Sequence, residues 1–240
     1  GAFHLTCLAK PTDGFQTLGC TMAPLSGILE GMNEHGLAVT RNYAYTTDKP
    51  EHFVPFSIVL QEMLKTCRNT NEAVRFITQS KRAGSALLTF ADAEADIKVV
   101  EISSNHVFVR DDAGEQFLVT NHYDSPEMHK QEVPHSAVYS GKAPKELHGI
   151  GVHESSEQRL KRAAELLRGK TKVDENKIVT VLRDHDRQNK PSMMTICRHS
   201  EFGSTLRSTI SYPNRKLLKV LYGNPCQNEF VEFTFQSEKD

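Results

Sequence analysis

The twelve residues GMNEHGLAVTRN (31–42) hold two glycines, two asparagines and an apolar run in one short stretch. Gly31 and Gly36 bracket a turn, and Asn33 is a residue type that tolerates positive φ in such a place. Beyond it, Leu37, Val39 and Arg41 alternate with Ala38, Thr40 and Asn42 in the two-residue period of a strand. The stretch predicts a turn feeding directly into a strand that ends on a polar pair, Arg41 and Asn42.

Upstream, residues 3–10 and 15–22 are rich in strand formers and are split by Pro11, Thr12, Asp13 and Gly14, which predicts a hairpin. Downstream, SIVLQEMLKTCRN (57–69) sets Ile58, Val59, Met63 and Cys67 on a helical stripe. TNEAVRFITQSK then restarts a helix, with Thr70 or Asn71 as N-cap and Glu72 in its first turn. Four β-rich runs follow at hairpin spacing, ALLTFAD, IKVVEIS, HVFVRD and QFLVTNHY, and predict an antiparallel meander.

Residues 124–154 carry three prolines, four histidines and little periodicity, as a lid or ordered excursion would. SSEQRLKRAAELLRGK opens on a serine cap, with Leu160, Ala163, Ala164 and Leu167 on one face. VDENKIVTVLRDH has Asp174 as cap and Ile178, Val181 and Leu182 inward. Strands are expected in MMTICRH, TLRSTISY, KLLKVLYG and FVEFTF, with turns at YPNR and GNPCQNE. The order β, helix pair, β, long loop, helix pair, β predicts an α+β layered domain spanning 1–240, not a parallel Rossmann-type sheet.

Composition narrows the function. With 29 basic and 30 acidic residues the chain has no global field to attract nucleic acid or an anionic membrane, so neither is expected as a partner. No apolar run approaches a membrane span. The five cysteines, Cys7, Cys20, Cys67, Cys197 and Cys226, are odd in number and scattered, which argues against a disulfide framework and for a reducing, cytoplasmic setting.

Two apparent motifs fail. GIGVHE (149–154) lacks the third glycine of a dinucleotide fingerprint and follows a loop. His153 and Glu154 begin like a zinc motif, but the second histidine one turn on is missing. No cofactor and no metal is expected, since a metal could be held only by residues brought together from distant parts of the chain. Cys197 and His199 share a face of the strand expected there, as a nucleophile and base or as core residues. Asn121, ending QFLVTNHY, is placed either to donate to a developing oxyanion or to cap the strand end; Arg159 is either a site residue or a solvated helix residue.

GMNEHGLAVTRN, TCRNTNEAV, VVEIS, TNH, SSEQR, LRDH, ICRH, TLRSTI and GNPC, in this order from Phe3 to Phe235, resemble the penicillin acyltransferase (acyl-CoA:6-aminopenicillanic acid acyltransferase) family. There is a more distant likeness to bile-salt (choloylglycine) hydrolases. The resemblance implies the N-terminal nucleophile hydrolase fold, a four-layer αββα sandwich of two antiparallel sheets. It implies an amide hydrolase or acyltransferase that works through a cysteine thioester after cutting its own precursor. A cysteine at a new N-terminus carries its own base, an α-amino group with a pKa of about 7.7 to 8.

By this resemblance Asn121 is the oxyanion donor, Asn42 lines the pocket near the nucleophile, and Arg159 orders or charge-stabilises the site. His122, Tyr123 and Phe202 fall where substrate would be met, and Phe202 in EFGSTL stands near the position of a family arginine, so the substrate is expected to differ. The family's cysteine, followed by a small hydroxyl residue on a strand before the one matching FHLTCLAK, has no counterpart here. The leading strands are thus expected to be missing and the nucleophile to lie upstream. Cys20, in GCTM, is the alternative nucleophile, and Cys7 a poorer one.

Two functions follow as expectations: an amide-cleaving or acyl-transferring enzyme, inactive without its leading strands, and a non-catalytic relative that binds a small acyl or amide ligand. The partners expected are that small molecule and, across a sheet edge left open, a second copy or the missing N-terminal segment.

Overall fold

The computed structural model describes residues 3–49, 54–110, 116–169 and 172–235; Asp111 and Lys170, at the ends of two expected elements, lie outside them. Among these residues, seven strands form one antiparallel sheet in chain order: β1 (Phe3–Ala9), β2 (Thr17–Ala23), β3 (Glu30–Asn33), β4 (Ala38–Asn42), β5 (Ala86–Ala91), β6 (Ile97–Ile102) and β7 (Val107–Arg110). Three more, β8 (Arg207–Tyr212), β9 (Leu217–Tyr222) and β10 (Val231–Thr234), form a second antiparallel sheet with β9 in the centre.

The stretch 31–42 is itself a hairpin, with Gly31 opposite Val39 and Met32 opposite Ala38. The turn is narrower than the two glycines suggest. Gly31 lies within β3, where a Cβ would sit 2.4 Å from Leu18 O, and only Gly36 needs the left-handed region, at φ +86. Asn33 acts through its side chain and not through positive φ. Its Oδ1 accepts from His35 N and Leu37 N, each at 3.1 Å, and its Nδ2 donates to Leu64 O at 2.8 Å and Cys67 O at 2.7 Å. One buried amide thus shapes the turn and satisfies carbonyls at the end of α1 (Phe56–Thr66) that the helix cannot satisfy itself. Arg41, at the strand's far end, stacks its guanidinium over the Phe56 ring at 5.4 Å.

The strand period places the layers. Leu37 and Val39 face a core shared with Phe56, Val59, Leu60, Met63 and Leu64 of α1, with Ala73 and Ile77 of α2 (Thr70–Gln79), and with Leu88, Phe90, Val100 and Ile102. Ala38 points the other way, with Leu18, Cys20 and Met32, against Leu218 and Val220 of the small sheet. On the outer side of that sheet, α5 (Glu175–Leu182) is tied by Glu175, whose carboxylate accepts from Lys219 Nζ at 2.8 Å and from Tyr212. Arg162 of helix α4 (Glu154–Leu167) pairs at 2.8 Å with Asp184, two residues past the end of α5. Helices, sheet, sheet, helices: the order is the α+β sandwich expected.

Local details depart from expectation. Asn69, not Thr70 or Asn71, caps α2, accepting from Glu72 N. His153 precedes α4 and no side chain caps it, so the serine expected there has other partners. Residues 117–123 and 193–199 are not strands. Both runs are apolar and β-branched, but each ends in contacts with side chains and turns instead of a neighbouring strand, and propensity yields to context. The excursion 124–154 is ordered: it holds α3 (Pro126–His129) and a single turn at Lys145–Leu147, and bridges Thr46 to Glu132 and Val138 to Gly151.

Candidate active site

Where β4 ends, the chain passes Asn42 and Tyr43 into a cleft of about 240 Å³. Tyr43, Tyr45, Asn121, Tyr139, Arg159 and Arg198 supply its polar lining, and Phe202 and Met193 are apolar neighbours. A larger depression, about 430 Å³, lies along α4 and residues 185–195, but three of its charged groups pair with one another, Arg162 with Glu165 and Arg187 with Glu165. Chemistry converges in the smaller one.

The site is built from two short segments clamped by one helix. Ser156 and Arg159 are three residues apart on α4 and so share a face. Ser156 is buried, and its Oγ accepts from Asn121 N at 2.6 Å, meets His122 Nδ1 at 2.7 Å and donates to Thr120 Oγ1 at 3.0 Å. One turn further, Arg159 Nη2 donates to Asn121 Oδ1 at 2.8 Å. Asn121 Nδ2 donates one of its two hydrogens to Tyr43 O at 2.7 Å, and Asn42 Nδ2 donates to Val119 O at 3.0 Å. The oxygen of Asn121 must point at the guanidinium, which has no acceptor, so the amide orientation is fixed by its partners.

Electrostatics follow from burial. Arg159 is lowered to about 10 by burial and by neighbouring Arg198, and still carries its charge at neutral pH. Burial likewise lowers Arg198, whose guanidinium meets no carboxylate among the described residues. Tyr45 and Tyr139 share a hydroxyl contact of 2.9 Å, and burial with that contact pushes Tyr139 upward. The cleft therefore presents two guanidiniums, a polarised side-chain amide and phenolic hydroxyls. That set suits a carbonyl oxygen gaining negative charge, or an anionic group nearby.

The expected site residues divide. Asn121, Arg159 and Phe202 border the cleft together, and Asn42 stands just behind Tyr43. His122 turns inward to Ser156, and burial lowers its pKa. Tyr123 is no substrate contact: it is fully buried with Ala44, Leu87 and Met128, and its hydroxyl donates to Ile102 O at 2.9 Å. Cys20 is no exposed nucleophile, because it sits inside β2 among the residues between the two sheets, and burial pushes its thiol up to about 11. Cys7 is exposed on the edge strand β1 and is not part of the cleft. Cys197 and His199 approach to 3.4 Å, but burial raises that thiol to about 11 as well, and neither borders the cleft.

Tyr43, Tyr45, Tyr139 and Arg198 were not singled out from the sequence. The aromatic spacing of Tyr43 and Tyr45 directly after a strand that ends on Asn42 was the available signal; nothing local marks Tyr139 or Arg198.

Residues 2–227 match the model of the acyl-coenzyme A:6-aminopenicillanic acid acyl-transferase family. A search of curated protein sequences finds no match. Among solved structures, the chain is similar to penicillin V acylase from Agrobacterium tumefaciens (TM-score 0.56, 15% identity, 92% of this chain and 73% of that one). It is similar also to a variant of conjugated bile acid hydrolase from Clostridium perfringens (0.55, 15%, 98% and 88%). A third is the N-acylethanolamine-hydrolyzing acid amidase ortholog of Caenorhabditis elegans (0.50, 16%, 93% and 81%). These likenesses establish the shared N-terminal nucleophile hydrolase fold.

Proposed function

The chain belongs to the acyl-coenzyme A:6-aminopenicillanic acid acyl-transferase family, and from that membership we propose that it cleaves an amide C–N bond, or transfers the acyl group, through a cysteine thioester formed in the cleft of Asn121 and Arg159. The observation that carries this reading is the 2.8 Å hydrogen bond from Arg159 to Asn121 Oδ1. An amide whose oxygen is held by a guanidinium has more polarised N–H bonds; one donates to Tyr43 O, and the second is the donor left for the substrate oxygen.

The chemistry runs in two halves. A thiolate attacks the substrate carbonyl, and the oxygen gains the charge that Asn121 Nδ2–H stabilises. Collapse of the tetrahedral adduct breaks the C–N bond, and the amine leaves with the proton taken from the thiol. Water or a second amine then attacks the thioester, gives up a proton and restores the thiol. The positive cleft favours a substrate with a carboxylate beside the scissile bond.

None of the five cysteines, Cys7, Cys20, Cys67, Cys197 and Cys226, borders this cleft, which supports a nucleophile carried by residues outside 1–240. Among the described residues β8 pairs with a strand on one side alone, and its other edge is where such a strand would pair. The test compares residues 1–240 alone with the same chain preceded by the upstream part of its gene product, on a panel of acyl amides. Turnover is expected only with the upstream part, with an acyl-type thiol probe on a cysteine outside 1–240, because losing such a nucleophile costs on the order of 10⁶ in rate. Equal turnover by both forms with the probe on Cys20 would overturn the placement. Tight binding of an amide without turnover by either would make the chain a ligand-binding relative.

A further inference from the structure

Away from the cleft, His185, Cys197, His199 and Cys226 each offer one ligand atom, and these atoms lie within 4.8 Å of one another. They come from three separate segments: the turn after α5, the 192–205 loop, and the turn after β9. Cys197 Sγ is 3.4 Å from His199 Nε2, and that nitrogen is 3.2 Å from Cys226 Sγ. The rings of His185 and His199 meet edge to face, 5.1 Å apart.

Hydrogen bonding leaves this group unsatisfied. A single imidazole nitrogen offers one proton or one lone pair, yet His199 Nε2 lies against two sulfurs. His185 Nε2 is buried with no hydrogen-bond partner. A tetrahedral zinc ion with Zn–S of about 2.3 Å and Zn–N of about 2.0 Å sets its S···N edges near about 3.5 Å. The Cys197–His199 and His199–Cys226 edges, at 3.4 and 3.2 Å, are already close to that spacing, and one ion would occupy all four atoms. Two thiolates and two imidazoles are a donor set that selects zinc over oxygen-seeking cations.

We propose that His185, Cys197, His199 and Cys226 bind one zinc ion in a closed, four-ligand site that staples α5, the 192–205 loop and the turn after β9 behind the cleft wall. The surrounding backbone is already arranged for it. Cys197 N donates to Asp184 O at 3.0 Å, Thr195 Oγ1 donates to Cys197 O at 2.7 Å, and Arg183 clamps the Cys226 turn through Pro225 O at 2.8 Å and Asn228 O at 3.0 Å. Arg198 stands between two of the ligands and reaches the cleft, so the ion fixes one wall of that cleft without touching substrate. With four protein ligands it has no open position, and its part is structural.

Protein purified without chelators should hold one zinc ion per chain by elemental analysis. After stripping, cobalt(II) should give the visible bands of a tetrahedral site together with thiolate charge transfer in the near ultraviolet. Cys226→Ser should abolish both. His185→Ala should weaken zinc by more than the roughly 10–100-fold that loss of an outer-shell partner costs. If these variants do not fold, the cobalt titration of the unaltered chain decides. A folded chain that retains no zinc and gives no cobalt spectrum overturns the site, and so does a Cys197–Cys226 disulfide found by alkylation and mass measurement. None of these readouts depends on amidase activity.

Discussion

Asn42 and Asn121 lace two segments together reciprocally: Asn42 Nδ2 donates to Val119 O, and Asn121 Nδ2 donates to Tyr43 O. Each side-chain amide thus holds the main chain beside the other. Asn121 alone is also gripped from its oxygen, by Arg159. The two asparagines therefore differ in kind, one positioning and the other facing the cleft.

Asn121→Ala in the active form should lower kcat by about 10²–10³, with KM changed far less, because the donor is used most when the oxyanion forms. Asn42→Ala should instead cost about 1 kcal/mol of stability and a smaller part of kcat, since it loosens Val119. Steady-state kinetics and a thermal midpoint on both variants separate them. Equal kinetic losses would remove the distinction.

Arg159→Lys should fail to restore what Arg159→Ala loses. A lysine ammonium cannot reproduce the planar fork that reaches Asn121 Oδ1 and Ser155 Oγ together. Full kcat in the lysine variant would show that charge alone suffices.

Arg198→Ala should raise KM about tenfold or more for amides that carry a carboxylate, and leave neutral amides nearly unchanged, as expected for one charge-assisted contact. Comparing paired neutral and acidic substrates reads this directly.

Asp48 should set part of the acid limit of stability. Burial raises its carboxyl, but hydrogen bonds from Ser103 Oγ at 2.6 Å and Asn105 N at 2.8 Å, with His106, outweigh this and hold it at about 2. The unfolded group titrates near about 3.9. With the folded pKa depressed, the stabilisation is complete above about pH 4 and disappears as pH falls from there to about 2. Allowing for screening, its size is about 1–2 kcal/mol. Wild type and Asp48→Asn should differ in Tm at neutral pH, with the difference shrinking as pH falls below about 4 and closing only near about pH 2.

Asn33→Asp should destabilise the fold by about 2–4 kcal/mol in chemical unfolding, since a carboxylate cannot donate to Leu64 O and Cys67 O in a buried site. An unaltered midpoint would mean the end of α1 is held by other means.

The sequence by itself determined the elements whose causes are local. Alternation from Leu37 to Asn42 made β4, the glycine at 36 made its turn, the stripe through Val59 and Met63 made α1, with Cys67 just past its end, and Asp174 capped α5. From these the layer order followed, because a two-residue period leaves one strand face for helices and the other for a second sheet. The motif order added TNH and SSEQR, and so named Asn121 and Arg159 before their contact was visible.

Only the tertiary structure decided who meets whom. Asn121 reaches a carbonyl 78 residues away and a guanidinium 38 residues away, and no local pattern encodes either separation. The same holds for the apolar runs 117–123 and 193–199, which carry strand propensity but find side-chain partners in place of a neighbouring ladder. It also holds for Cys20, whose strand face turns its thiol between the sheets, and for His185, Cys197, His199 and Cys226, gathered from three segments. Propensity and periodicity act over a few residues, whereas side-chain contacts between distant segments exist only after the layers have closed.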